Sequence, residues 1–187
     1  MSYLDKFILK NKICLVTGGA GGIGLEICKA LLDAKSKVIL ADIDENKSKK
    51  IINKFFKKNK NIEFAYMNAA SEKSIKDLKK YITKKYKRLD VLVNAIGICH
   101  NKEAEKITNN EWDNVININL NSMFYICREF GKIFIKQKKG NIINIGSNSG
   151  VIVDKPQPQS SYNASKGAVH QLTKSLACEW ADRNIRV

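Results

Sequence analysis

Two residues near the end of this sequence, Tyr162 and Lys166 of Tyr162-Asn163-Ala164-Ser165-Lys166, have the types and spacing that suit proton transfer. Four residues apart on a helix, a phenol and an ammonium share one face. A phenol ionises near pH ~10, and a cation within a few Å favours the phenolate, so the pair can exchange a proton with an alcohol or carbonyl near neutral pH. By itself such a pair is an ordinary helix-surface contact, so its context decides. Upstream lies a glycine cluster, Thr17-Gly18-Gly19-Ala20-Gly21-Gly22-Ile23-Gly24. Glycines there permit positive φ and a close backbone approach to a ligand, and free N–H groups where a helix opens favour a pyrophosphate. Asp42, 18 residues beyond Gly24, is placed to accept hydrogen bonds from the adenosine ribose hydroxyls. It also repels a 2′-phosphate, because two like charges ~4 Å apart at an effective dielectric of ~20 cost about 4 kcal/mol. The expected cofactor is therefore NAD rather than NADP. Asp44 reads as the N-cap of the next helix.

These residues need a frame that brings distant segments together. Short apolar runs alternate with helical periodicity, which is the pattern of strand-helix-strand units around a parallel sheet covered on both faces. The strand-like runs are Ile13 to Thr17, Lys37 to Ala41, Ile62 to Tyr66, Val91 to Asn94 and Asn141 to Ile145. Helical stripes between them are Ile23, Ile27, Ala30, Leu31 and Ala34, then Ile51, Ile52, Phe55 and Phe56, then Ile75, Leu78 and Ile82. A longer helix opens at Thr108 with Glu111 in capping-box spacing and runs through Trp112, Val115, Ile116, Leu120, Met123, Phe124, Cys127, Phe130 and Phe134. Another runs from about Ser161 to Arg183, after a loop marked by Lys155-Pro156-Gln157-Pro158-Gln159. Asn184-Ile185-Arg186-Val187 reads as the opening of a sixth strand. The fold class is α/β, a Rossmann-like doubly wound parallel sheet, with residues 1–187 as one dinucleotide-binding domain.

Composition bounds the alternatives. With 187 residues, 44% of them hydrophobic, the chain can remove roughly 70% of its unfolded surface from water and needs no disulfide or metal staple. Its five cysteines, Cys14, Cys28, Cys99, Cys127 and Cys178, are widely spaced and mostly set in apolar runs, so no metal site is expected. No run approaches the ~20 apolar residues of a membrane span, and the start lacks a secretory signal, so a cytoplasmic location and no membrane partner are expected. The net charge of +15 comes from lysines scattered over several polar helix faces without interleaved aromatics. That is a solvated surface, and no nucleic-acid partner is expected.

The glycine cluster at Thr17 to Gly24, taken together with Tyr162 and Lys166, resembles the short-chain dehydrogenase/reductase family, and the likeness runs in register over the chain. Val93-Asn94-Ala95-Ile96-Gly97 is similar to the segment after the family's fourth strand, Asn119 stands at its catalytic asparagine, and Asn144-Ile145-Gly146-Ser147 matches the segment ending in its catalytic serine. The resemblance implies that Tyr162 is the general acid/base and that Lys166 favours its ionised form and holds the nicotinamide ribose. It implies that Ser147 hydrogen-bonds the reacting oxygen and that Asn119 holds a water of the proton relay. It also implies a cofactor cleft formed by Thr17, Gly18, Gly21, Gly22, Ile23, Gly24, Asp42, Ile43, Asn68, Ala69, Asn94, Ala95 and Gly97, besides Tyr162 and Lys166.

Three departures stand out. Ala95 replaces an asparagine, so a hydrogen bond that steadies the central sheet is expected to be absent. Asn68 stands where an aspartate often meets the adenine amino group, and an amide accepts more weakly. Family members also continue beyond the sixth strand, so the chain is expected to be C-terminally truncated and to turn over slowly or not at all by itself.

The Pro-Gln-Pro-Gln tract before Tyr162 resembles the polyol and sugar dehydrogenase branch, with Gln157, Gln159, Asn148 and His100 as candidate substrate contacts. The substrate is expected to be a small secondary alcohol or ketone. A 3-oxoacyl-carrier-protein reductase shares the motifs, but Asp42 disfavours the NADPH it usually prefers. A non-catalytic dinucleotide-binding remnant is the third reading. His170 is expected to pack or to sit at an interface. Helices 108–137 and 161–183 are expected to pair subunits into a homodimer or homotetramer through Phe130, Phe134, Val169, Leu176 and Trp180.

Overall fold

Runs of aliphatic residues bounded by Gly, Asn and Asp form the sheet. The strands are β1 (Ile13–Thr17), β2 (Lys37–Asp42), β3 (Ile62–Tyr66), β4 (Val91–Asn94), β5 (Gly140–Asn144) and β6 (Ile185–Arg186). The computed structural model describes residues 3–187. All pairings are parallel, in the order β3-β2-β1-β4-β5-β6, which makes the chain a Rossmann-like doubly wound α/β fold. The order reverses between β1 and β4, and the glycine turn and the loop after β4 emerge there side by side. Ligands in such sheets bind outside the carboxyl ends of the strands at this reversal.

The helices are α1 (Gly22–Asp33), α2 (Glu45–Phe55), α3 (Glu72–Tyr86), α4 (Asn109–Ile116), α5 (Ser122–Gln137) and α6 (Ser160–Trp180). Strand side chains alternate between two cores. Leu15, Ile39, Leu92 and Ile142 meet α3, α5 and α6 on one face, while Cys14, Val16, Val38 and Leu40 meet α1 and α2 on the other. Ile143 points to the second face beyond the reach of those two helices and is 50% exposed.

Several sequence expectations are corrected. β5 starts and ends one residue early, and β2 continues through Asp42. Ile145, just past β5, still donates its N–H to Asn94 O at 2.9 Å, while its carbonyl accepts the Lys166 ammonium at 2.7 Å. In α1 the buried line is Gly24, Cys28 and Leu32, while Ile23 is 61% exposed. The close seat of Gly24 on the glycine turn rotates the helix by about one residue from the expected stripe. Phe55 is also exposed, under the ammonium groups of Lys29 and Lys54.

The long helix is not continuous. Asn117–Asn121 form a π-type turn between α4 and α5, and its extra residue shifts the phase of the two segments. Val115, Met123, Cys127 and Phe130 point inward, whereas Trp112 and Phe124, read as part of the same stripe, point out. The residues expected at a subunit contact, Phe130, Phe134, Val169, Leu176 and Trp180, all lie in the core instead. Gly131 makes this possible: a methyl there would sit 2.7 Å from the Trp180 ring, so only glycine lets α5 and α6 approach closely enough to bury the indole.

Three of the lysines sit at helix ends. Lys35, Lys87 and Lys138 adopt φ of 68°, 60° and 53° just beyond the ends of α1, α3 and α5, where helix carbonyls point out and cations are favoured.

Candidate active site

The glycine turn is built by contacts that exclude any side chain. Gly18 has φ +69°, and a methyl on it would meet the Ala95 carbonyl at 2.9 Å. A methyl on Gly24 would lie 2.2 Å from the Gly18 carbonyl oxygen, so α1 starts directly on the turn. The cap of α1, Gly21, offers no side-chain acceptor, and the first turn of the helix carries no acidic residue. Its N–H groups are thus free to meet an anion. A methyl on Gly22 would touch nothing, which leaves that approach open.

Beside this turn runs a cleft of about 330 Å³ lined by Gly18, Gly21, Asp42, Ile43, Lys47, Met67, Asn68, Ala69, Ala95, Ile96, Gly97, Ile98 and Ile118. Asp42 is oriented by two main-chain donors, Ala20 N–H to Oδ2 and Asp44 N–H to Oδ1, each 3.0 Å. Each oxygen retains a lone pair for a ribose hydroxyl. Asp44 caps α2 as expected, accepting from Lys47 N–H at 2.8 Å. The Asn68 oxygen accepts from Ala70 N–H at 2.9 Å. A dinucleotide fits these residues: an uncapped glycine-rich helix start for its phosphates and an oriented carboxylate for its ribose.

Seven residues expected on the cleft do not line it: Gly22 and Ile23 stand at the start of α1, Tyr162 and Lys166 lie beyond Gly97, and three are inside the fold. Thr17 and Asn94 are buried, and Gly24 is covered by the turn. Thr17 Oγ1 donates to Asn94 Oδ1 at 3.1 Å, Asn94 Nδ2 donates to Asn144 Oδ1 at 2.9 Å, and Asn144 Nδ2 donates to Thr173 Oγ1 at 3.0 Å. This chain stitches β1, β4, β5 and α6 together. The expected loss at Ala95 is thus made good by its neighbour, since Asn94 itself bridges the strands.

Tyr162 and Lys166 share one face of α6, with Nζ 5.7 Å from the phenol ring centroid. The Tyr162 hydroxyl makes no hydrogen bond to any described residue. Lys166 is 3% exposed, and that burial pushes its ammonium below the usual lysine range. One of its three N–H donors goes to Ile145 O, and the others remain for a ligand. A methyl on Gly97 would be 3.5 Å from Nζ, so the far wall of the cleft abuts this pair. Asn119, fully buried, accepts from Ile98 N–H at 2.8 Å and donates to Ile98 O at 2.9 Å and to Ser165 Oγ at 3.0 Å. It pins the loop after β4 to α6.

Ser147 follows β5 against the same helix. Its Oγ accepts from Ser149 N–H at 3.1 Å and donates to Asn148 Oδ1 at 3.3 Å, capping a short turn over Asn148–Gly150. Of the candidate substrate contacts, Asn148 donates to Asp154 at 3.1 Å, Gln159 donates to Ser149 Oγ at 3.4 Å, Gln157 borders a crevice with Lys102 and Asn163, and His100 is exposed. Sequence reasoning missed Lys47, Met67, Ile96, Ile98 and Ile118 as cleft residues. Ile118 reaches the cleft only because the π-type turn faces it, and nothing in a helical repeat signals that turn. Among the described residues no group of acidic, His or Cys side chains could hold a metal ion, and no helix is long and apolar enough to cross a membrane.

Comparison with known proteins accords with this geometry. Residues 12–187 match the family model described as short chain dehydrogenase. Galactitol 2-dehydrogenase of Rhizobium johnstonii is 35% identical over 188 residues, covering 100% of this chain and 73% of that protein. The 3-oxoacyl-[acyl-carrier-protein] reductase of Thermotoga maritima is 33% identical over 179 residues, covering 96% of this chain and 72% of the reductase. The crystal structure of gox2181 superposes with a TM-score of 0.96 at 40% identity, covering 100% of this chain and 73% of that one.

Proposed function

This chain is a member of the short-chain dehydrogenase/reductase family, and we propose that it is an NAD-linked dehydrogenase of polyols or sugars with Tyr162 as general acid/base. One observation carries the reading. The cleft that begins at Asp42 ends at Gly97, and Gly97 abuts the buried Lys166 beneath the Tyr162 ring.

In this reading Asp42 and the N-terminus of α1 hold the two ends of the adenosine diphosphate portion, with Ile43, Asn68 and Ala69 around the base. The nicotinamide supplies the hydride acceptor or donor when bound. Tyr162 takes the proton from the substrate hydroxyl, or returns it to the carbonyl, through an oxygen that has no competing partner among the described residues. Lys166 presents its two remaining N–H donors to the phenolate and to the ribose hydroxyls. Ser147 Oγ turns from Asn148 to the reacting oxygen and orients it against Tyr162. Asn119 pins the loop after β4 to α6, and its oxygen, which accepts one main-chain bond, keeps a lone pair for the expected relay water.

The polyol assignment is supported by the galactitol dehydrogenase relative and by the polar Asn148, Gln157 and Gln159 beside Ser147 and Tyr162. The carrier-protein reductase relative and the net charge of +15 support a second reading, an acidic carrier as substrate donor, which Asp42 opposes through its repulsion of NADPH. For subunit pairing we assign the outer face of α4 and α5, where Trp112 and Phe124 are exposed and Arg128 stacks on Phe124 and Tyr125.

The test is a titration of NADH and NADPH by fluorescence, followed by turnover of galactitol, D-arabinitol and gluconate with NAD⁺ against a 3-oxoacyl thioester with NADPH. Tighter NADH binding is expected, with any polyol oxidation linked to NAD⁺ and slow in residues 1–187 alone. Preferred NADPH binding with turnover of the thioester alone would establish the carrier-protein reading instead.

A further inference from the structure

The segment Ile145-Gly146-Ser147 carries the serine from β5 to the site, and two side chains of α6, one helical turn apart, grip it from both ends. Lys166 Nζ donates to the carbonyl of Ile145 at 2.7 Å. The main-chain N–H of Ser147 donates to Nε2 of His170 at 3.4 Å. Between these anchors Gly146 lies against the imidazole: a methyl on it would stand 2.5 Å from Nε2 and 2.8 Å from Cδ2. The order of the partners follows from their chemistry. Lysine has only donors, so it takes the carbonyl, whereas a neutral imidazole protonated at Nδ1 offers one acceptor at Nε2, so it takes the amide.

We propose that His170 is a positioning residue for the reaction: it fixes the main chain of Ser147, and through it the hydroxyl that meets the reacting oxygen. The inference rests on the role given to Ser147 above. Its force comes from what else hangs on that amide. Ser147 Oγ caps the Asn148–Gly150 turn, and a methyl on Gly150 would lie 2.6 Å from the Lys166 main-chain carbon, so the turn sits directly on α6. A shift at Ser147 therefore moves hydroxyl and turn together. Tyr162, Lys166 and His170 lie at successive turns of one helix, so a single rigid element sets both the proton-transfer phenol and the serine that faces it.

The experiment compares His170→Phe, which keeps a ring but removes the acceptor, with His170→Gln, which keeps an acceptor at a similar reach. Amide exchange at Ser147 is read by NMR on the cofactor-free protein, and kcat and KM are read with galactitol or D-arabinitol and NAD⁺. Thermal melting reports folding, and His170→Leu repeats the comparison with a smaller side chain if the Phe variant does not fold. In the Phe variant the Ser147 amide exchanges faster, and kcat falls about tenfold to a hundredfold with the KM for NAD⁺ unchanged. The Gln variant recovers much of both. Unchanged exchange at Ser147 in the Phe variant overturns the proposal, and so does faster exchange with unaltered kcat. If the unmodified chain binds NADPH in preference to NADH and turns over only the thioester, the proposed function fails, while the exchange comparison still decides whether His170 holds Ser147.

Discussion

The carboxylate of Asp42 accepts the main-chain N–H of Ala20 at 3.0 Å, which ties the end of β2 to the glycine turn. The same oxygen pair accepts Asp44 N–H, so the negative charge is held in one place on the cleft wall rather than on a mobile side chain. A fixed charge discriminates more sharply than a flexible one, because it cannot swing away from a 2′-phosphate.

Replacing Asp42 with Ser should therefore move coenzyme preference toward NADPH. The full repulsion corresponds to about 4 kcal/mol, and solvent at the open cleft reduces it, so a shift of about tenfold to a hundredfold in the NADPH/NADH dissociation ratio is expected. Fluorescence titration of both reduced coenzymes reads this. An unchanged ratio would show that Asp42 does not face the ribose.

Tyr162→Phe removes only the hydroxyl from a half-buried ring. Turnover should fall by about 10²- to 10⁴-fold, the span attributed to a positioned general acid/base, while NADH affinity and melting temperature stay near those of the parent chain. Unchanged turnover would remove Tyr162 from proton transfer.

Gly24→Ala puts a methyl 2.2 Å from the Gly18 carbonyl, a contact with backbone that no side-chain motion relieves. The turn and α1 must separate, and NADH binding should weaken at least about tenfold, together with a lower melting temperature. Gly22→Ala is the control for melting temperature alone, since a methyl there meets no described protein atom within 4 Å but does stand on the anion's approach. Equal losses of melting temperature from the two substitutions would contradict this account of the turn.

Stability should fall in acid through Glu129. This carboxylate, 2% exposed, links α3 to α5 by accepting from Lys79 and from Lys132 at 2.6 Å. Burial alone would raise its pKa, but the hydrogen bonds from Lys132 and Lys79 overrule it and hold the group at about 2, below its ordinary 4.5. A depressed carboxylate stabilises the fold fully above its unfolded value and loses that contribution as pH falls toward the folded one. Melting temperature should therefore drop between pH 4.5 and about 2 more steeply in the parent than in Glu129→Gln, which should itself be less stable at pH 7 by on the order of 1–3 kcal/mol. Parallel melting curves would remove Glu129 from the explanation.

The parts of this protein that were legible from sequence are those fixed by local chemistry. Alternating apolar runs specified five strands to within one residue, Thr108 and Glu111 announced their capping box, and Asp44 announced its cap. Tyr162 and Lys166 share a face because helix geometry places residues four apart together. The glycine turn was readable because only glycine tolerates φ +69° at Gly18 and a backbone contact as close as that at Gly24.

Tertiary structure decided what depends on packing between segments far apart in the chain. Whether Thr17 and Asn94 meet a ligand or stitch strands depended on which way β1 and β4 turn their side chains, and both turn inward. Phe130 and Trp180 look alike as core or as interface until Gly131 lets α5 and α6 close over them. His170 was an unremarkable helix residue until β5 delivered Gly146 and Ser147 onto its ring. Periodicity is a property of neighbours along one element, so it reports a face. What that face touches is set by strand order and by the closest approach each pair of backbones permits, and neither is written in any single stretch of residues.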